Sequence, residues 1–245
     1  MRFGGLTAVS GFSLALSRGE LVSLIGPNGA GKTTVFNAIT GVHNLTEGTI
    51  RFDGRVISGL PAHRIAKLGM GRTFQNIRLF RGLSVLDNLR AAMHQDSDYG
   101  ILQAALRSRR WAATEGRITE ASLKLLGMFG LENRAAELAG SLPYGDQRRL
   151  EIVRALATDP RLLLLDEPAA GMNPSETTQL MGLIRSLIEK LPLTILLIEH
   201  DMRLVMGISH RVVVLNDGRA IAAGAPQEIA HDPAVVEAYL GEPGH

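Results

Sequence analysis

Three observations in this 245-residue sequence predict an α/β fold, a mostly parallel core sheet joined by an antiparallel β-subdomain and a helical insertion. Short, apolar, β-rich runs at residues 20–25, 162–165 and 193–198 read as buried strands, and helical stretches separate them. The first run feeds Gly26-Pro27-Asn28-Gly29-Ala30-Gly31-Lys32-Thr33-Thr34, after which residues 35–40 read as a helix. From Asn76 to about Gly140 the strand signals stop, alanine and arginine rise, and helical spacing takes over.

The glycine-rich stretch matches G-x-x-x-x-G-K-[ST], and its strand–loop–helix setting gives the match physical content. Such a loop aims several backbone N–H groups, and the positive end of a helix dipole, at one point where a phosphate can sit. Gly29 and Gly31 allow close backbone approach, Lys32 would reach the β- and γ-phosphates, and the Thr33 hydroxyl would ligate Mg²⁺. The sequence therefore predicts a nucleoside triphosphate ligand.

Composition bounds what else the chain can be. Hydrophobic residues make up 45% and charged residues 20%, which fits a globular core rather than a disordered chain. A formal net charge of +2 does not call for nucleic acid. Cysteine is absent, which excludes disulfides, a thiolate nucleophile and a cysteine–zinc site. No apolar run has the roughly 18–20 residues that span a bilayer, and no signal peptide is apparent, so a cytosolic chain is expected.

Taken in order, Phe3-Gly4-Gly5 precedes residues 6–16, which alternate loosely and read as the second strand of an antiparallel pair. The expected first strand lies upstream of Met1. Residues 49–55 alternate around an Asp53-Gly54 turn, residues 61–68 read as a short helix, and residues 70–74 return to the sheet and deliver Gln75. Within the insertion, Ile118, Ala121, Leu125, Leu126 and Phe129 fall on one helical face. The piece Arg107-Ser108-Arg109-Arg110-Trp111 reads as a solvated helix face. Helices at residues 144–158 and 176–190, a hairpin at 212–223 around Asn216-Asp217-Gly218, and two short helices at 227–240 complete the chain.

The remaining chemistry collects at strand ends. Leu162 to Leu165 run into Asp166-Glu167, placing two carboxylates at the carboxyl end of a buried strand, where open α/β sheets bind ligands. Asp166 can hold Mg²⁺ opposite Thr33, and Glu167 can accept a proton from a water attacking the γ-phosphate. His200 follows another buried strand and can bond the γ-phosphate or orient Glu167. The Gln75 amide oxygen can reach Mg²⁺ or the attacking water.

In this order the pieces resemble an ATP-binding subunit of an ABC transporter, and more narrowly the ATPase subunits of branched-chain amino acid importers. The residues that carry the resemblance are GPNGAGKTT, Gln75, LLLLDE, His200, the stretch Ser141-Leu142-Pro143-Tyr144-Gly145-Asp146-Gln147-Arg148-Arg149, the segments GRTFQNIRLF and AAGMNP, and the ending EAYLGE. The resemblance implies a RecA-like P-loop NTPase core, with ATP and Mg²⁺ held in a head-to-tail dimer in which the signature of one subunit caps the ATP on the other. It implies nucleotide contacts from Phe3 (stacked on adenine), from Gly26, Pro27, Asn28, Gly29, Ala30, Gly31, Lys32, Thr33 and Thr34, and from Leu142, Tyr144, Gly145 and Asp146. Metal contacts fall to Thr33, Gln75 and Asp166, and catalysis to Glu167, His200, Lys32 and Gln75.

The commonest signature is Leu-Ser-Gly-Gly-Gln. Here Pro143 offers neither hydroxyl nor N–H, Tyr144 replaces a glycine, and Asp146 adds a negative charge that must point away from phosphate. The resemblance further implies a second ATPase subunit, membrane permease subunits, an indirectly coupled substrate-binding protein, no nucleic acid, and a place on the cytoplasmic face of the plasma membrane. Residues 1–75 would form the β-subdomain and phosphate-loop core, 76–140 the helical subdomain, 141–225 the signature helix and the rest of the core, and 226–245 the C-terminal helices. Transporters of urea, amides or other amino acids, a soluble ATPase acting on nucleic acid or ribosomes, and a small-molecule kinase are the alternatives.

Overall fold

The computed structural model describes residues 1–94 and 109–240, and these form two compact units. The first comprises Met1–Gln75 and Arg161–His245, the second Asn76–Pro160. Arg107 and Ser108 of the arginine-rich piece, and Gly241 and Glu242 of the ending, lie outside the described residues.

The strands of the first unit, in chain order, are β1 (Arg2–Phe3), β2 (Leu6–Thr7), β3 (Leu21–Ile25), β4 (Arg51–Phe52), β5 (Arg55–Val56), β6 (Met70–Arg72), β7 (Leu162–Asp166), β8 (Thr194–Ile198), β9 (Arg211–Asn216) and β10 (Arg219–Gly224). Six of them form one sheet in the order β10-β9-β3-β8-β7-β6. All neighbours pair in parallel except β10, which pairs antiparallel with β9. Every residue of β3, β7 and β8 is buried, which explains why these strands read as unbroken apolar runs rather than as alternation. Val22, Leu24, Leu164, Leu196 and Phe36 are among the side chains of the core they share.

Within the chain, β2 pairs antiparallel with β1, Arg2 facing Thr7 and Phe3 facing Leu6. Gly4, at φ 57, supplies the positive φ that so tight a reversal needs. Residues 8–16 carry no regular strand; their chain is tied to the β9–β10 hairpin by Ser10 N–H, which donates to the Gly218 carbonyl at 2.9 Å. The antiparallel β-structure on this side of the unit is thus two separate two-stranded ladders, β1–β2 and β4–β5. A helix at Met202–Ile208 was not anticipated; Asp201 caps it by accepting from Arg203 N and Leu204 N.

The second unit runs to Pro160 rather than to about Gly140, because the helix Tyr144–Leu156 packs on the helices Val85–Met93 and Arg109–Met128 and belongs with them. Ser84 caps the first of these, accepting from Asp87 N at 3.0 Å. The long helix buries Thr114, Ile118, Ser122 and Leu126, a strict four-residue spacing. Ala121 is exposed and Leu125 half-buried, so the apolar face expected from the sequence is rotated. Ser122 enters it because its hydroxyl finds a partner in the Met93 sulfur at 3.4 Å.

Candidate active site

Parallel pairing brings the carboxyl ends of β3, β8, β7 and β6 to one edge of the sheet. From those ends emerge the glycine loop, His200, the Asp166-Glu167 pair and Gln75. Residues more than a hundred positions apart therefore share a single rim, the place where open α/β sheets bind ligands.

The glycine loop leaves β3 and ends in the helix Lys32–Ile39, whose N-cap is Gly31 at φ 103. Gly26 is the sterically locked position: a Cβ there would stand 1.9 Å from the Leu215 carbonyl oxygen at the end of β9. Gly29 differs, since only its φ of 81 demands glycine and the space around it is open. Lys32 is buried, and its ammonium donates to the carbonyls of Gly26 (2.5 Å) and Pro27 (2.7 Å). That arrangement keeps a positive charge at the mouth of the loop, beside the first N–H groups of the helix. Ala30 is buried, while Asn28 and Thr33 are exposed and Pro27 and Thr34 half-buried.

Asp166 is held by a residue that the sequence reading missed. Arg72, on β6, donates from Nη2 to Asp166 Oδ2 at 3.0 Å, and from Nη1 to Asn37 Oδ1 and Thr40 Oγ1, each at 2.8 Å. Its guanidinium also lies over the rings of Phe36 and Phe74. Both side chains of the ion pair are less than a tenth exposed. Thr73 Oγ1 accepts from the Asp166 N–H at 3.2 Å, so the start of the turn after β7 is fixed from the β6 side.

Glu167 is half-buried and adopts a left-handed backbone at φ 47, a strained geometry for glutamate. Gln75 Nε2 donates to Glu167 Oε2 at 3.0 Å. The Gln75 side chain thus bonds Glu167 through its nitrogen, whereas the sequence reading gave Gln75 an oxygen contact to Mg²⁺ or water. The His200 side chain is 65% exposed. Its neighbour Glu199 is buried instead, and that carboxylate accepts from backbone N–H groups of Ala169, His200 and Asp201. Burial pushes the Glu199 carboxyl above the usual carboxylate range, partly offset by those three bonds.

No group of three or more His, Cys, Asp or Glu side chains among the described residues could cage a metal by itself. The Thr33 hydroxyl and the Asp166 carboxylate are hard oxygen donors of the kind that Mg²⁺ takes at a phosphate site, where one or two protein oxygens suffice and phosphate and water complete its shell. Phe3 is partly exposed, and its ring meets His43 edge to face at 5.3 Å between centroids.

The signature stretch lies in the second unit. Pro143 is the N-cap of the helix Tyr144–Leu156 and provides no side-chain cap. Asp146 is buried and ion-paired with Arg134 and Arg149, so its charge is neutralised within the unit. Leu142 is buried, its carbonyl accepting from Gln147 Nε2 at 2.8 Å, and Gly145 is buried too. Ser141, Pro143 and Tyr144 are the exposed residues of the stretch; of the four nucleotide contacts that the resemblance implies there, Tyr144 is exposed, while Leu142, Gly145 and Asp146 are buried.

Comparison with known proteins agrees with this geometry. A family model described as ABC transporter matches residues 9–170, and one described as branched-chain amino acid ATP-binding cassette transporter matches residues 221–245. The chain is 50% identical over 242 residues to the high-affinity branched-chain amino acid transport ATP-binding protein LivG of Salmonella typhimurium, covering 99% of this chain and 95% of that protein. In structure it is similar to an ATP-binding cassette of an ABC transporter in its ADP conformation, with a TM-score of 0.85 and 31% identity over 99% of this chain and 96% of the other. A dimeric cassette in a post-hydrolysis state, bound to ADP and Pi, gives a TM-score of 0.77 and 25% identity over 92% of this chain and 94% of the other. The chain belongs to the ABC transporter family of ATPases, in its branched-chain amino acid group.

Proposed function

We propose that this chain is the ATP-hydrolysing subunit that drives import of branched-chain amino acids. The observation that carries the reading is the convergence of Lys32, Asp166, Glu167, Gln75 and His200 on one edge of the parallel sheet. The loop from Gly26 to Thr34 wraps the phosphates with its N–H groups, and Lys32 moves from the Gly26 and Pro27 carbonyls onto them. Thr33 and Asp166 would hold Mg²⁺, which when bound offsets phosphate charge. Arg72 keeps the Asp166 carboxylate oriented, Gln75 keeps Glu167 aimed, and Glu167 takes the proton from the attacking water.

The working unit is a head-to-tail dimer with a second ATPase, each signature helix facing the other subunit's γ-phosphate. The post-hydrolysis dimer reported for a similar cassette supports that assembly. Among the described residues no helix is long and apolar enough to cross a membrane. Attachment to the cytoplasmic face of the membrane would come through permease subunits, with a substrate-binding protein acting through them. The identity to LivG supports branched-chain amino acids as cargo.

The test is light scattering of purified E167Q with and without Mg²⁺-ATP, alone and with the partner ATPase. An ATP-dependent dimer in either mixture, with hydrolysis lost, is expected. E167Q turning over ATP at near the wild-type rate would refute the role given to Glu167, and a monomer in both mixtures would refute the dimer. Uptake of radiolabelled leucine, urea and short amides by vesicles carrying the assembled transporter separates the candidate cargoes.

A further inference from the structure

Glu199 is a buried carboxylate next to the site to which no role has been given. It stands at the end of β8 with 1% exposure, in a position where a charged group persists only if its oxygens are well bonded. Its two oxygens serve different loops. Oε1 accepts from Ala169 N at 2.8 Å, on the loop that leaves Glu167. Oε2 accepts from His200 N at 3.1 Å and Asp201 N at 3.4 Å, and lies 3.9 Å from the His200 ring Nδ1. A second cross-link runs the same way, since the Glu167 N–H donates to the Ile198 carbonyl at 2.9 Å.

We propose that Glu199 is a positioning residue for ATP hydrolysis, its buried carboxylate clamping the Glu167 loop to the His200 loop so that base and switch histidine keep one register. The geometry requires an acceptor at both ends of the side chain. A glutamine supplies an acceptor at one end only; its NH₂ group at the other would face an N–H, donor against donor. An alanine would leave three backbone N–H groups without their partner. The bonds of the clamp go to the loops after β7 and β8, so losing it disturbs the relation between the catalytic loops more than the phosphate loop.

The inference rests on the roles proposed for Glu167 and His200, and one set of measurements separates the two. Steady-state ATPase activity is measured for wild type, E167Q, H200A, E199Q and the double variant E199Q/H200A, with nucleotide affinity read separately from a fluorescent ATP analogue. E199Q is expected to lower kcat by about tenfold or more while KM and analogue affinity change by less than about threefold. In the H200A background E199Q should add little, because the register it keeps between Glu167 and the histidine has no further effect once the histidine is gone. A kcat for E199Q within about twofold of wild type, or losses that multiply with those of H200A, would overturn the clamp. Should E199Q fail to fold, E199D keeps the charge but is one methylene too short to bond both loops, and it enters the same cycle with the same expected outcome. If E167Q and H200A themselves turn over normally, the catalytic reading fails; if they are impaired and Glu199 variants are not, only the clamp fails.

Discussion

Replacing Arg72 by methionine isolates the energetics of the buried pair beneath the site. Methionine keeps much of the apolar stem against Phe36 and Phe74 but removes the guanidinium. Asp166, its side chain 6% exposed, would lose the cation 3.0 Å from Oδ2, and Asn37 and Thr40 would each lose a donor. Breaking a buried ion pair from one side costs about 3–5 kcal/mol, most of it the penalty on the charge left behind. The two hydrogen bonds to neutral oxygens are nominally worth about 1 kcal/mol each, but they belong to the same network and do not simply add. The expected loss for R72M is therefore about 3–5 kcal/mol, read from urea unfolding in the absence of nucleotide. Pairing it with D166N removes the carboxylate that lost this cation, so the double variant should recover about 1–3 kcal/mol relative to the sum of the single losses. An R72M loss below about 1 kcal/mol, or strict additivity with D166N, would refute a buried, coupled pair.

Three further outcomes follow from the geometry. G26A must place a methyl 1.9 Å from the Leu215 carbonyl at a φ of 147, so a loss of about 3 kcal/mol or more is expected in urea unfolding, with loss of nucleotide binding in a fluorescence titration. Glu20 accepts from the Arg211 side chain at 2.8 and 3.2 Å, which holds its carboxyl below the ordinary value of 4.5. Its stabilisation is fully present above that value and fades as pH falls through the depressed folded value, so wild type should exceed E20Q by about 1 kcal/mol at pH 7 and converge with it in acid. N173A removes the capping box that Asn173 and Glu176 form on the helix Pro174–Lys190, and thermal unfolding should report a loss of about 1 kcal/mol.

What could be read in advance follows from distance along the chain. The glycine loop was legible because its chemistry needs consecutive residues, a strand before them and a helix after. The buried strands β3, β7 and β8 announced themselves as apolar runs, and the carboxylates at the end of β7 followed from that. Arg72 was invisible because its partners, Asn37, Thr40 and Asp166, lie up to 94 positions away and each is unremarkable alone. Ser122 misled the helical face because a buried hydroxyl looks polar until Met93 is known to receive it. The helix Met202–Ile208 had a signal, an Asp201 cap ahead of spaced apolar residues, but its shortness let it pass as loop. Tyr144–Leu156 was legible as a helix yet assigned to the wrong unit, because packing partners are not written in a helix's own periodicity.

With the catalytic role proposed for Glu167, its backbone carries a conflict between selection for durability and selection for work. At φ 47 the position suits glycine or asparagine better than any side chain able to serve as a base. Replacement by glycine would relax the turn, and a library screened for heat tolerance alone should therefore drift at this position toward proteins that survive longer and hydrolyse nothing. Stabilising this ATPase without silencing it means leaving residue 167 strained and strengthening the chain elsewhere.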